Sequence, residues 1–296
     1  MADLGYQDGK WVNFDKPGGS VFFVSGGTAA LDGAGGSNTF RGLDPKHPLS
    51  TIQHGLDKCT AGRGDTVVIT PGSITITAAL TMSIADVTLT GVSGGSVINP
   101  SAIVVGLSST GDGINVSAAN VIIEDLHFPA STAACTSRVD AGAAGLTVRN
   151  CTFECGATDL ETITVPAAGL HTHIQGNRFY VTANGPDAAI EIEAAAAHYI
   201  VIEDNEFNGM NDTNGWDVGA INSGVAHLSC LVRRNTNSFG PAIIFSAAAT
   251  GMISDNDMGE GTLGSMLDPG SCMCSRNFEA DAIDQKAREF PTTAAS

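Results

Sequence analysis

The chain has 296 residues, a formal net charge of -17 and a pI near 4.5, although charged residues make up only 15% of it. Such an acidic surface repels phosphate backbones, so the composition argues against nucleic-acid binding. No apolar run approaches the roughly 18 residues that a membrane-spanning helix needs, so we expect no membrane insertion.

Residues 1–20 show no repeat, and we predict that they form an N-terminal arm. Tyr6, Trp11 and Phe14 lie in this arm among glycine, aspartate and proline residues. Aromatic side chains outside a core need a surface on which to bury. They either pack on the first coils of the same chain or dock on a partner, and we treat all three as interface candidates. The first ten residues also lack the basic and apolar regions of a secretory signal. We therefore expect a protein that acts in the cell that makes it or leaves by lysis.

A strand at 21–27 and a glycine-rich loop come next, followed by a predicted capping helix at about 50–59. Ser50 and Gln53 have the spacing of a capping box, and Ile52, Leu56 and Cys59 fall on one helical face. Such a helix would cover the open end of a stacked structure and its unpaired strand edge.

The helix and the strand after it carry a family resemblance. The chain reads T-I-Q-H-G-L-D-K-C at 51–59 and G-D-T-V-V-I-T-P-G at 64–72. This order resembles the start of pectate-lyase-like right-handed β-helix proteins, which include many phage structural and tailspike proteins. The resemblance covers about 21–278. It implies the architecture and leaves activity open, because the family contains lyases, hydrolases and inert structural proteins.

A repeated unit dominates the chain from about residue 123 to 278. A β-branched residue is followed by Asn at +3 and Phe at +5, as in Ile174, Asn177 and Phe179. The matched middle positions from Leu126 to Asn277 are 25, 26, 28, 30, 21 and 21 residues apart. Steps of this length between short β-type runs indicate a solenoid of stacked parallel sheets. We therefore predict an all-β protein whose residues 21–278 form a right-handed parallel β-helix.

Asparagine recurs at the middle position of this unit. Its side chain tolerates left-handed backbone and bonds to nearby main chain, so we predict a structural ladder at a corner of each coil. The ladder consists of Asn177, Asn205, Asn235, Asn256 and Asn277.

Residues 279–296 form the last predicted unit. Ile283, Ala287 and Phe290 have helical spacing, and Pro291 follows them. We predict a short helical segment that caps the solenoid or docks on a partner, with Ile283 and Phe290 as further interface candidates.

Cysteine and histidine residues give no sign of a metal or cofactor. The seven cysteines are scattered, their number is odd, and no C-x-x-C pair is present. We expect most of them to be buried thiols. His171 and His173 could bind a metal as an H-x-H pair, but no third ligand is identifiable, so a polar surface or a contact between subunits is the favoured interpretation. We predict neither a metal site nor a cofactor.

Glu191 and Glu193 are the best catalytic candidates. They alternate with Ile190 and Ile192, and Glu203, Asp204 and Glu206 could lie one coil away. Paired carboxylates can hydrolyse glycosides. The alternative, which we favour, is that the two glutamates are the solvent-facing positions of a strand whose isoleucines point inward. We expect a protein that is not an enzyme.

Together these features favour a phage virion structural protein, in particular a capsid decoration (cement) protein that forms a homotrimer on the outer capsid surface. It would be made in the host cytoplasm and would contact the major capsid protein or another virion protein. A tailspike-like polysaccharide depolymerase and a receptor protein that binds surface glycans remain the alternatives.

Overall fold

The computed structural model describes most of the chain. Its described residues are 4–7, 10–13, 18–25, 35–70, 72–91, 104–107, 111–130, 134–156, 159–182, 186–209, 215–238, 242–259, 266–280 and 287–289. Side chains are described throughout these ranges except at 4–7, 10–13, 104–107, 159–160, 279–280 and 287–289.

The described residues contain one short helix and thirty strands. The helix α1 is Ile52–Asp57. The strands are β1 Leu4–Gln7, β2 Lys10–Asn13, β3 Val21–Val24, β4 Thr66–Ile69, β5 Ser73–Ile76, β6 Leu80–Met82, β7 Thr88–Gly91, β8 Val104–Leu107, β9 Ile114–Val116, β10 Ile122–Glu124, β11 His127–Phe128, β12 Cys135–Asp140, β13 Thr147–Arg149, β14 Thr152–Cys155, β15 Asp159–Val165, β16 His173–Gln175, β17 Arg178–Val181, β18 Ala188–Ile192, β19 Val201–Glu203, β20 Glu206–Asn208, β21 Gly219–Ser223, β22 Cys230–Arg233, β23 Thr236–Ser238, β24 Ile243–Phe245, β25 Gly251–Ser254, β26 Asp257–Met258, β27 Leu267–Asp268, β28 Met273–Ser275, β29 Phe278–Ala280 and β30 Ala287–Glu289.

Three long sheets run along the molecule, and each coil from β4 to β27 contributes one strand to each of them. Sheet S1 has the order β28-β25-β22-β19-β16-β13-β10-β7-β4-β3. Sheet S2 has the order β30-β29-β26-β23-β20-β17-β14-β11-β8-β5, and sheet S3 has the order β27-β24-β21-β18-β15-β12-β9-β6. All neighbours pair in parallel except β29 and β30. The chain is therefore a right-handed parallel β-helix, which confirms the predicted fold.

The core consists of like side chains stacked from coil to coil. In S1, Ile123, Val148, Ile174 and Ile202 are paired in register and fully buried. In S2, the rings of Phe128, Phe153, Phe179 and Phe207 stack with centroids 4.8, 5.1 and 5.0 Å apart. These are the repeated positions of the sequence. Each coil buries its apolar side only against its neighbours, as in other solenoids.

The five predicted ladder asparagines lie buried at the corner between S1 and S2. Asn177 donates from its backbone N–H and from Nδ2 to Oδ1 of Asn205, at 2.9 and 3.1 Å. The same pattern continues to Asn235, Asn256 and Asn277. Of the two reasons given for asparagine, bonding to main chain is confirmed, since Nδ2 of Asn177 donates to the carbonyl of Val148, but left-handed backbone is wrong. The left-handed residue of each corner is the one before it, such as Asp204 or Arg234, while the asparagine points inward.

Helix α1 covers the first coil, as predicted, but its start differs from the sequence interpretation. The N-cap is Thr51, whose hydroxyl accepts from His54 N at 3.2 Å. Gln53 does not complete a capping box with Ser50, because its amide bonds the backbone of Thr81 instead. Ile52 and Leu56 are buried against the end of the solenoid.

Antiparallel pairs occur near both ends of the described chain. In the N-terminal arm, β1 and β2 pair as a hairpin outside the three sheets. At the other end we predicted a helix over 279–296, but the described part of this segment, β30, is a strand paired with β29. The unpaired backbone at the edge of S2 explains the difference, because a strand bonds that edge and a helix would not.

Candidate functional site

Six carboxylates gather on and beside sheet S3. Asp140 in β12, Thr164 in β15, Glu191 in β18 and Asn222 in β21 are register partners on successive strands. They alternate with inward residues such as Ile190 and Ile192, which are fully buried as the sequence predicted. We call these six carboxylates the acidic cluster; they are Asp112, Asp140, Glu161, Asp187, Glu191 and Glu193.

Burial and mutual repulsion raise the pKa of three members of this cluster. Burial, together with the charges of Asp187, Glu191 and Glu193, raises the pKa of Glu161 to about 7. Burial also raises the pKa of Asp140, with Asp112 and Glu193 as the charged contributors. A carboxyl group that keeps its proton near neutral pH can act as a general acid.

Glu191 has a close polar partner on the next strand of S3. The amide of Asn222 donates to its Oε2 at 2.6 Å. Burial raises the pKa of Glu191 above its ordinary value, and the hydrogen bond from Asn222 opposes this shift. Glu193 is solvent-exposed at the end of the same strand. The structure thus places both predicted glutamates beside carboxylates that the sequence did not connect with them.

The other three carboxylates of the sequence prediction lie elsewhere, so that part of the prediction was wrong. Glu203 belongs to β19 in S1 and Glu206 to β20 in S2, while Asp204 forms the corner between them. Residues 203–206 span the ladder corner between S1 and S2, whereas Glu191 lies in the preceding strand of S3 and Glu193 directly follows that strand. Sequence spacing does not reveal this change of face.

A second surface of interest lies on the outer side of S1. Val201, Leu231, Met252 and Met273 are register partners on β19, β22, β25 and β28. Met252 and Met273 are 38% and 68% exposed. Tyr199 and Leu228, which are 56% and 47% exposed, lie just before two of these strands, and Tyr199 N donates to Leu228 O. We call these six residues the S1 patch.

Ion pairs border the S1 patch. Nε of Arg233 lies 2.6 Å from Oε2 of Glu203, and Arg234 bonds both Glu203 and Asp204. Nε of Arg276 lies 2.7 Å from Oδ1 of Asp255. These three carboxylates and three guanidinium groups sum to zero charge. The rim of the patch is therefore locally neutral on a chain whose net charge is -17.

Sequence reasoning missed Tyr199. The structure stacks its ring on that of His171, with centroids 4.8 Å apart and an interplanar angle of 7°. The signal was present, because these two residues are 28 apart, the same step that separates Asn177 from Asn205. His173 points to Glu203 instead, with 3.0 Å between Nε2 and Oε1, so the two histidines do not form a joint site.

None of the five predicted interface residues has a side chain that the structure describes. Tyr6 and Trp11 are cross-strand partners in the β1–β2 hairpin, where side chains are not described. Phe14, Ile283 and Phe290 lie outside the described residues. Their role at an interface stays a prediction.

The described residues hold no group of three or more histidine, cysteine or acidic side chains that could bind a metal ion. All seven cysteines are buried thiols. Burial raises the pKa of Cys59, Cys151 and Cys272 to about 12, so these thiols stay protonated at neutral pH. Within the described part of the chain, no helix is both long and apolar enough to cross a membrane.

Comparison with known proteins relates this chain to others through its fold. No protein-family model matches the sequence, and no curated protein matches it either. Among solved structures, pectate lyase Pel9A is 11% identical with a TM-score of 0.57, over 94% of this chain and 81% of that one. A rhamnogalacturonan lyase is 13% identical with a TM-score of 0.56, over 88% and 73% of the two chains.

The protein ORF18 of Geobacillus virus E2 also matches, with 13% identity and a TM-score of 0.42 over 78% of this chain and 57% of that one. That TM-score is too low to bear on function. The first two structures establish that the chain shares the pectate-lyase-like β-helix fold. Fold alone does not assign an activity, because this architecture carries many functions.

Proposed function

We propose that the chain is a virion structural protein, a capsid decoration protein that stands as a homotrimer on the outer capsid surface. Its partners would be the major capsid protein or another virion protein, and it would be made in the host cytoplasm. The observation that carries the proposal is the contrast between the two described surfaces. One long side exposes an apolar, charge-balanced patch, while S3 carries the acidic cluster.

Such a contrast suits a protein that is held in a multi-copy shell. Soluble monomers rarely expose contiguous apolar patches, and where such patches occur they often mark protein–protein contacts. A strongly acidic outer side keeps crowded copies soluble and apart. The rigid, fully stacked core needs no ligand for its order, which fits a part that serves as a surface element.

The proposal is tested on purified virus particles that carry the gene for this chain. Cryo-electron microscopy should show a rod-shaped density of three copies at regular positions outside the shell. Mass spectrometry of the same particles should recover the chain at a fixed ratio to the major capsid protein. Particles that lack the chain, or that hold it only at the tail, would overturn the decoration role.

The acidic cluster favours a second candidate, which is a tailspike-like protein that binds or cleaves a surface polysaccharide. Glu161, with a pKa of about 7, would be the general acid that protonates the leaving glycosidic oxygen. Glu191 or Glu193 would then act on the sugar from the other side, as the second carboxylate of a glycosidase does. The negative charge of the cluster makes a neutral glycan the expected substrate, because an anionic one would be repelled.

Release of new reducing ends from a panel of neutral polysaccharides tests this candidate. Glu161→Gln and Glu191→Gln should each lower the rate about a hundredfold or more, because each removes a proton-transferring or charge-stabilising group. Asp257→Asn, on the exposed face of S2, is the matched control and should leave the rate unchanged. Glycan-array binding without turnover would instead support a receptor-binding role. If the chain neither binds nor cleaves any glycan, the depolymerase role and the receptor-binding role are both excluded.

A further inference from the structure

The S1 patch has the composition of a protein interface. Interface cores are enriched in tyrosine, methionine and arginine and depleted in lysine and unpaired acids. Tyr199, Met252 and Met273 are exposed in the patch, and paired arginines form its rim. Four residues of the patch are register partners on adjacent strands and so form one continuous strip: Val201, Leu231, Met252 and Met273.

The backbone at Tyr199 gives an independent reason to assign the patch a role. A left-handed residue precedes most S1 strands, and the series includes Asp86, Asn120, Gly145, His171, Tyr199 and Ser229. Asn, Asp and Gly tolerate this conformation, whereas a bulky aromatic residue is unfavourable there. Tyr199 has a φ of 60°. The corner does not require tyrosine, and although its ring stacks on His171, the residue is still 56% exposed, which leaves the outer part of the ring for a contact.

The charges of the chain indicate which kind of partner binds the S1 patch. A basic partner would gain most by binding the acidic cluster, and it would find no net attraction at the S1 patch. Two copies of this chain each carry a charge of -17, so they can approach closely only through a face whose own charges cancel. The rim of the S1 patch is such a face, with three arginines paired to three carboxylates.

We infer that the S1 patch is the surface through which a second copy of this chain packs side by side with the first, with Tyr199 as its aromatic anchor. This inference rests on the proposed role in a multi-copy assembly and names the surface that links the copies. The acidic cluster then stays free of the contact. Closed symmetry is the usual outcome for such homo-oligomers.

Sedimentation velocity of the full chain over a wide concentration range tests the inference. The wild-type chain should be oligomeric, and Tyr199→Asn combined with Met273→Lys should weaken self-association by about a hundredfold or more, as expected for loss of an aromatic anchor. The urea midpoint of the same double variant should stay close to that of wild type, because both side chains are exposed and asparagine tolerates the left-handed backbone at 199. Loss of association at an unchanged midpoint cannot be ascribed to misfolding.

Val218→Lys is the matched control, because Val218 is an exposed apolar residue outside the patch. It should leave self-association unchanged. A wild-type chain that is monomeric at every concentration, or a double variant that associates like wild type, would overturn the inference. A monomeric chain that still decorates particles would refute only the inference that copies associate through the S1 patch. An oligomeric chain that is absent from particles would refute the decoration role but not the inference about the S1 patch.

Discussion

The side chain of Asn205 completes four hydrogen bonds inside the coil. Its Oδ1 accepts from the backbone N–H and from Nδ2 of Asn177, and its Nδ2 donates to the carbonyl of Ile174 and to Oδ1 of Asn235. Every one of these groups is buried away from water. A buried polar group is stable only when it is paired, so each rung of the ladder depends on the next.

Asn205→Ala should therefore destabilise the chain by about 3 kcal/mol, since it leaves buried donors and acceptors unpaired on both neighbouring coils. Urea unfolding followed by circular dichroism measures the effect as a lower midpoint. Asn208→Ala is the matched control, because Asn208 is only partly buried on S2 and bonds Glu206 and Ser238 near the surface. Equal midpoints for the two variants would contradict a structural ladder.

Glu161 predicts how stability depends on pH. Its pKa is about 7 in the folded chain, against an ordinary value of 4.5, so the folded state binds the proton more tightly than the unfolded state does. The stability that depends on this proton is complete below about pH 4.5 and is lost as pH rises through about 7. The native chain should consequently be less stable in mild alkali than near pH 6.

Glu161→Gln should remove this loss, because glutamine does not ionise. We expect the variant to be more stable than wild type by about 1–2 kcal/mol above about pH 8, a figure reduced for the partial exposure of the carboxyl group. Thermal or urea midpoints measured across the pH range test the expectation. Asp257→Asn, at an exposed position, should keep the wild-type pH profile. A Glu161→Gln profile that runs parallel to wild type would show that this carboxyl is not perturbed.

Among the elements, strands of S1 and S2 were easier to predict than strands of S3. Residues such as Ile174 and Phe179 hold fixed offsets from the ladder asparagine, because the corner between S1 and S2 has the same length in every coil from β10 onward. The connection from S2 to S3 varies in length, so the repeat gives no frame for S3. The C-terminal strand was missed for another reason. Its pairing depends on an open sheet edge, which local spacing does not encode.

Helix α1 is the element on which the N-terminal end of the solenoid depends. Leu56 is buried, and Gly55 packs so closely that a Cβ there would lie 2.9 Å from a methyl group of Val24. The helix contacts β3, β4 and β6, which belong to the first coils of S1 and S3. Removing it would expose apolar side chains at the end of the stack.

Leu56→Glu should lower stability by about 3 kcal/mol or more, because it places a charge against the apolar end of the core. The exposed end should also promote aggregation that grows with protein concentration, which light scattering detects. Asp57→Ala, at an exposed position of the same helix, should change the urea midpoint little. A soluble Leu56→Glu variant with a wild-type midpoint would show that the helix does not close the solenoid.

For the whole molecule, the sequence predicted the architecture better than the candidate site. A solenoid repeats its contacts, so one residue pattern reports every coil. The acidic cluster is different, because Asp140 and Glu191 are 51 residues apart yet lie only two strands apart in S3. Two variable coil lengths separate them, so only the folded register brings them together. Tyr199 was accessible in principle through its fixed step from His171.

The net charge of -17 predicts how the whole molecule responds to salt. Like charges repel in the compact state, and salt screens this repulsion as the Debye length falls from ~30 Å at 0.01 M to ~8 Å at 0.15 M. Salt also weakens the ion pairs of S1, but exposed pairs contribute little to stability. The repulsion should dominate, so the urea midpoint should rise with added sodium chloride.

The acidic cluster should account for a measurable share of this salt dependence, because its carboxylates are closer together than the average charges of the chain. The double variant Glu191→Gln and Glu193→Gln should therefore show a weaker rise of the midpoint with salt than wild type. The control Asp255→Asn removes a carboxylate that is paired with Arg276, so it should not weaken the rise in the same way. A midpoint that falls with salt in the wild-type chain would mean that ion pairs outweigh the net charge.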